Sequence, residues 1–174
     1  MKEKDNMEQQ AAHTNGDWLV HQYYGVGQLR GKEKKNIGGE ESTYFRLEMD
    51  NKSTIYIPED KLNSEWFRPV ASKNTLEEVR DVLSRPPKKM AQNFNVRKTR
   101  IKKVMSENSI VGIARIIRDL SGRRKRRKTL SKTEDSALRT LTDRLLSEWV
   151  IAAGVEEDEA RHLMQALLEN NGSA

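Results

Sequence analysis

The stretch Gln92 to Lys103, reading QNFNVRKTRIKK, sets a single aromatic, Phe94, among five cations at Arg97, Lys98, Arg100, Lys102 and Lys103. Lys89 lies just upstream and no acid interrupts the run. An apolar side chain flanked by charges that reach phosphates is the chemistry of a nucleic-acid contact. The ring fills a partly unstacked base step while the cations release counterions from the backbone. A plainer reading stays open, a solvated helix with one core phenylalanine, because Phe94 shares a helical face with Ile101, Val104 and Met105. A second basic run, Arg123 to Lys128 (RRKRRK), follows Arg115 and Arg118. We read it as a phosphate-contacting patch in a helix-to-helix turn, carried by Arg123, Arg124, Arg126 and Arg127; the alternative is a solvated loop.

Other chemistries find little support. His13, His21 and His162 lie in a tail, a strand and a late helix, without a partner at metal-ligand spacing, and there is no cysteine to ligate, cross-link or attack. The segment Gly25 to Lys32 (GVGQLRGK) is superficially like a phosphate loop, but Glu33 stands where a magnesium-binding hydroxyl would be needed, so a hairpin turn is expected there. Glu156, Glu157, Asp158 and Glu159 form an acidic cluster that suits a helix start. An enzyme acting on nucleic acid would need acids within the basic region, where only Glu107 and Asp119 occur. No catalytic residue, metal or cofactor is expected.

These residues need elements to hold them. The formal net charge of +6 conceals a strong asymmetry: residues 1 to 84 carry 12 basic and 15 acidic side chains, residues 85 to 128 carry 16 and 2, and residues 129 to 174 carry 4 and 9. A basic centre of this kind is the footprint of a polyanionic partner. Residues 1 to 15 are polar and aperiodic and are expected to form a disordered tail. From Asp17 short strand-like runs follow, at Trp18 to His21, Val26 to Arg30, Thr43 to Met49 and Thr54 to Ile57. Tyr44, Arg46 and Glu48 alternate with Phe45, Leu47 and Met49, which marks a half-buried strand. Four or five such antiparallel strands within about fifty-five residues predict a small, strongly bent sheet or an SH3-like β-barrel.

After Pro69 the pattern becomes helical. Thr75 and Glu78 suggest a capping box that opens a helix ending at Ser84, before Pro86 and Pro87. Asn108 or Ser109 caps the next helix, striped by Ile110, Ile113, Ala114, Ile117 and Leu120. Ser131 with Glu134 is a second capping box, Leu138, Leu141, Leu145 and Trp149 continue at helical spacing, and Gly154 is a stop. The expected class is α+β: a β domain over residues 16 to 72, then an all-α bundle over 73 to 174. No run is long and apolar enough to suggest a membrane partner, and the composition suits a cytoplasmic chain.

Two segments, in this order, resemble CarD-like (CdnL) bacterial transcription regulators. The run DWLVHQYYGVGQ from Asp17, a charged hairpin, Tyr44 to Met49 and then Tyr56, Ile57 and Pro58 look like the RNA-polymerase-interacting domain that the transcription-repair coupling factor shares. Asn93 and Phe94, then IARIIRDL from Ile113 and LSKTE from Leu130, look like the CarD-like helical DNA-binding domain. The resemblance implies a non-enzymatic monomer that docks through a Tudor-like barrel on the polymerase β subunit. Its helical domain would meet promoter DNA at the upstream edge of the bubble and stabilise the open complex, in association with the nucleoid. On that basis the polymerase contact falls to Lys35, Tyr44, Arg46, Ile55, Tyr56 and Ile57, and the DNA contact to Asn93, Phe94, Arg97, Lys98 and Arg100 with the second basic run. Two positions depart from the family: Tyr56 stands where members often carry a basic residue, and Phe94 where a tryptophan is common. The alternative function is an architectural DNA- or RNA-binding protein without a polymerase contact.

Overall fold

The computed structural model describes residues 13 to 170, and most of the expected tail, residues 1 to 12, lies outside them. The chain divides into two compact units between Pro69 and Val70.

The first unit is a five-stranded antiparallel sheet of β1 (Trp18–His21), β2 (Gly25–Ile37), β3 (Glu40–Met49), β4 (Thr54–Pro58) and β5 (Phe67–Pro69), in the order β4-β3-β2-β1-β5. The alternation in β3 places Phe45, Leu47 and Met49 inside, against Leu19, Leu29, Ile57 and Leu62. Of the two expected forms, bent sheet or barrel, the structure has the open sheet, with β4 and β5 as its two edges. Both edges are short and end in a proline, which has no N–H to donate to a further partner. Residues Gly25 to Lys32 are not the hairpin turn the sequence suggested. They open the 13-residue strand β2, and the turn falls at Gly38 and Gly39, whose positive φ values of 78° and 98° suit glycine. One extra residue between Leu29 and Lys32 forms a bulge in the β2–β3 ladder. A bulge raises local twist, which bends the outer half of the hairpin relative to the sheet.

The second unit holds α1 (Lys73–Ser84), α2 (Phe94–Glu107), α3 (Ile110–Arg127), α4 (Lys132–Ala153) and α5 (Glu157–Asn170). The cap of α1 is Ser72, not Thr75: the Ser72 hydroxyl accepts from the Thr75 N–H, which makes Thr75 the third helical residue. The other expected caps form. Ser109 opens α3, Asn108 closes α2 in the left-handed conformation, Ser131 and Glu134 make a reciprocal capping box, and Gly154 ends α4. Helix α3 is buried over most of its circumference through Ile110, Val111, Ile113, Ile116, Ile117 and Leu120, so it is the central helix, with α1, α2 and α4 packed around it. Arg123 to Arg127 are not a loop. They are the last turn and a half of α3, where cations complement the negative end of the helix dipole.

Candidate nucleic-acid and polymerase interfaces

The placement of Phe94 begins with the connection before it. Pro86 and Pro87 cannot continue α1, so the chain crosses α3 in extended form before α2 starts. At the crossing Pro87 lies against Gly122: a Cβ there would come within 2.4 Å of the Pro87 ring carbons. Met90 is buried next along. Asn93 then caps α2, its side-chain oxygen accepting from the N–H groups of Asn95 at 2.8 Å and Val96 at 3.3 Å. Phe94 is therefore the first helical residue, 39% exposed, with Val96 55% exposed beside it. The shared helical face holds for Ile101, Val104 and Met105, which meet the core, but the core stops short of Phe94. Two apolar side chains stand open at the start of α2.

Two buried carboxylates hold this platform. Glu134, on α4 and 1% exposed, accepts from Arg97 Nε at 2.6 Å and lies 3.2 Å from Arg123 Nε, while the Ser131 N–H donates to its other oxygen at 3.0 Å. Arg97 Nη1 also donates to the carbonyls of Ala91 and Gln92, at 2.9 and 2.6 Å, which ties α4 to the connection just ahead of Phe94. Burial pushes the Glu134 carboxyl up, but the Ser131 N–H, the Arg97 guanidinium and the Ser131 hydroxyl outweigh it and hold it below its ordinary value. Asp119, wholly buried on α3, accepts from the Lys88 N–H at 2.9 Å, Arg118 Nε at 2.8 Å and Arg100 Nη2 at 2.6 Å. Charges removed from water in this way need such saturation, because an unpaired one costs several kcal/mol.

The structure thus sorts the expected DNA contacts. Arg97 is 6% exposed and committed to Glu134, so it supports the platform and is not a free phosphate-reaching cation; its guanidinium carbon lies 5.8 Å from the Phe94 ring centroid. Arg123 is drawn inward by the same carboxylate, and Arg100 is half-buried against Asp119. The physical reason is the same for all three: a fully buried acid claims the nearest guanidinium before solvent or DNA does. Lys98 and Arg126 are exposed, as are Arg124, paired with Asp135, and Arg127, which donates to Gln92 Oε1 at 3.0 Å. Asn93 is exposed as well, but its side chain is used as the cap. Val96 escaped the sequence reading. The available signal was that it lies off the Ile101 and Val104 stripe while remaining apolar. Asp119 carried a signal too, as one of two acids among 16 cations.

In the first unit four of the six expected polymerase residues lie together on the outer face of the sheet. Arg46 is in register with Tyr56, and Tyr44 with Glu33. The Lys35 ammonium sits 3.7 Å from the centroid of the Tyr56 ring, and Glu33 lies 3.5 Å from both Lys35 Nζ and Arg46 Nε. The Tyr56 ring thus adds no charge of its own but holds the Lys35 ammonium over its face. The Ile57 side chain is 4% exposed and faces the core, as that of Ile55 does in part. Strand alternation turns both away from solvent, so they can offer a partner only the backbone of edge strand β4, which pairs with β3 alone among the described strands.

Among the described residues no group of His, Asp and Glu is arranged to hold a metal, and no helix is long and apolar enough to cross a membrane. Comparison with curated proteins finds no match. Two family models do match, in the order of the two units: the CarD-like/TRCF RID domain over residues 14–71 and the CarD C-terminal domain over residues 78–165. The second alone spans half of the chain and holds α2, α3, α4 and the buried-acid network. The chain therefore belongs to the CarD-like family of RNA-polymerase-interacting transcription regulators.

Proposed function

We propose that the chain bridges the RNA polymerase β subunit and promoter DNA at the upstream edge of the bubble, and that it stabilises the open complex by binding, without catalysis. The observation that carries the reading is the exposure of Phe94 and Val96 at the start of a helix whose root is locked by Arg97 and Glu134. A rigidly mounted apolar pair beside exposed cations suits a partly unstacked base step, where phenylalanine is among the usual wedges. A ligand that favours the melted state over the closed one shifts the equilibrium by that difference in affinity alone. The outer face bearing Lys35, Tyr44, Arg46 and Tyr56, with the edge of β4 that no other described strand pairs, supports polymerase docking through strand addition and side-chain contacts. The test is the lifetime of polymerase–promoter open complexes after competitor challenge. Phe94→Ala is expected to shorten it at least fivefold, for loss of stacking worth about 1–3 kcal/mol, and to leave retention on the β subunit intact. An unchanged lifetime excludes the wedge.

A further inference from the structure

A cleft of about 470 Å³ opens in the second unit between α1, the Pro86 crossing, α2 and α3. The size is that of a small-ligand site, but the lining is not the usual apolar one. Only Val82 and Pro86 are uncharged; Arg85, Lys88, Arg100, Arg115 and Arg118 supply the cations, and Glu78 and Asp81 the acids.

The acids do not cancel the cations. Asp119 is consumed by Arg100, Arg118 and the Lys88 N–H. Asp81 pairs with Arg85 and Glu78 with Arg115, both pairs with more than half of each side chain exposed, the second at 3.9 Å. Counted with Asp119, three carboxylates face five cations, which leaves an excess of two positive charges. Arg118, 4% exposed, and Asp119 form a fixed floor, whereas exposed pairs contribute little and exchange partners readily.

We infer that this cleft is a phosphate-binding site. A doubly charged phosphate group matches the excess, and its oxygens accept from several guanidinium and ammonium donors at once, where Glu78 and Asp81 engage one each. The phosphate belongs either to a small phosphorylated molecule or to a nucleic-acid backbone. The inference does not rest on the reading of Phe94.

The experiment uses the full chain and compares wild type with Lys88→Ala and Arg115→Ala. Both side chains are exposed, and truncating Lys88 keeps its backbone bond to Asp119, so unchanged thermal midpoints are expected. Inorganic pyrophosphate is titrated at constant ionic strength while amide and arginine Nε–H resonances are followed. In parallel, duplex binding is measured over a range of salt. A saturable pyrophosphate response at Arg85 and Arg100, about tenfold weaker in each variant, supports the site with a small phosphorylated ligand. A salt slope reduced by roughly one per substitution, without that response, supports it with the nucleic-acid backbone as ligand. An unaltered slope, together with a pyrophosphate response that is absent or indifferent to both substitutions, overturns it. Failure of the wedge is read separately, from the lifetime of Phe94→Ala complexes.

Discussion

Phe94 and Arg97 lie three residues apart on one turn of α2 and have opposite fates. The aromatic is exposed and the cation is buried. The inversion follows from Glu134, which Arg97 reaches across a separation of 37 residues. Removing that carboxylate leaves Arg97 and Arg123 without their buried partner, and Glu134→Ala is expected to cost about 3–5 kcal/mol in denaturant unfolding. The dependence on pH has a definite sign. Because the folded carboxyl is held below its ordinary value of 4.5, its contribution is complete above that value and is lost as the pH falls through the lower, folded value. The stability gap between wild type and Glu134→Ala should therefore narrow on acidification below about pH 4.5. A gap that stays constant from neutral pH into that range removes the ion pair as its cause.

At the scale of elements, the crossing of Pro86 and Pro87 over α3 decides where α2 begins. Glycine within a helix normally loses about 1 kcal/mol to alanine, so Gly122→Ala would stabilise an unobstructed α3. Here the added carbon collides with Pro87. We expect net destabilisation of about 1–3 kcal/mol, read as a lower thermal midpoint, and a shortened open-complex lifetime although Gly122 is itself buried on α3; a raised midpoint would show that the crossing yields. The same elements mark what was legible in the sequence. Local, reciprocal patterns were: the Ser131–Glu134 box, the alternation of Phe45, Leu47 and Met49, and the stop at Gly154. Where two local signals compete, the first in the chain prevailed, as Ser72 did over Thr75. The strand β5 was missed because three residues show no alternation, and its identity comes from pairing with β1. The exposure of Phe94 was not legible either, because the carboxylates that anchor α2 lie far along the chain and sequence periodicity does not register them.

Across the whole molecule, two cores without a common residue underlie the two proposed tasks. Leu47 is wholly buried in the first core. Leu47→Ala is expected to destabilise that unit by about 2–5 kcal/mol and to reduce retention on the polymerase β subunit, while the salt slope of duplex binding stays unchanged; a parallel loss of both activities would show that the tasks are not separable. The basic centre, in turn, is less available than its formal charge suggests, since Arg97, Arg100, Arg118 and Arg123 are turned toward Asp119 and Glu134. That inward turn also has a consequence for synthesis. The sheet is complete at Pro69 and most of its strand pairs join neighbours in sequence, whereas Arg97 must wait for Glu134. On a ribosome that extends the chain from its N-terminus, the polymerase-facing unit is finished first. For an interval the nascent chain would hold Arg97 and Arg123 without their buried partner, until α4 emerges with Glu134.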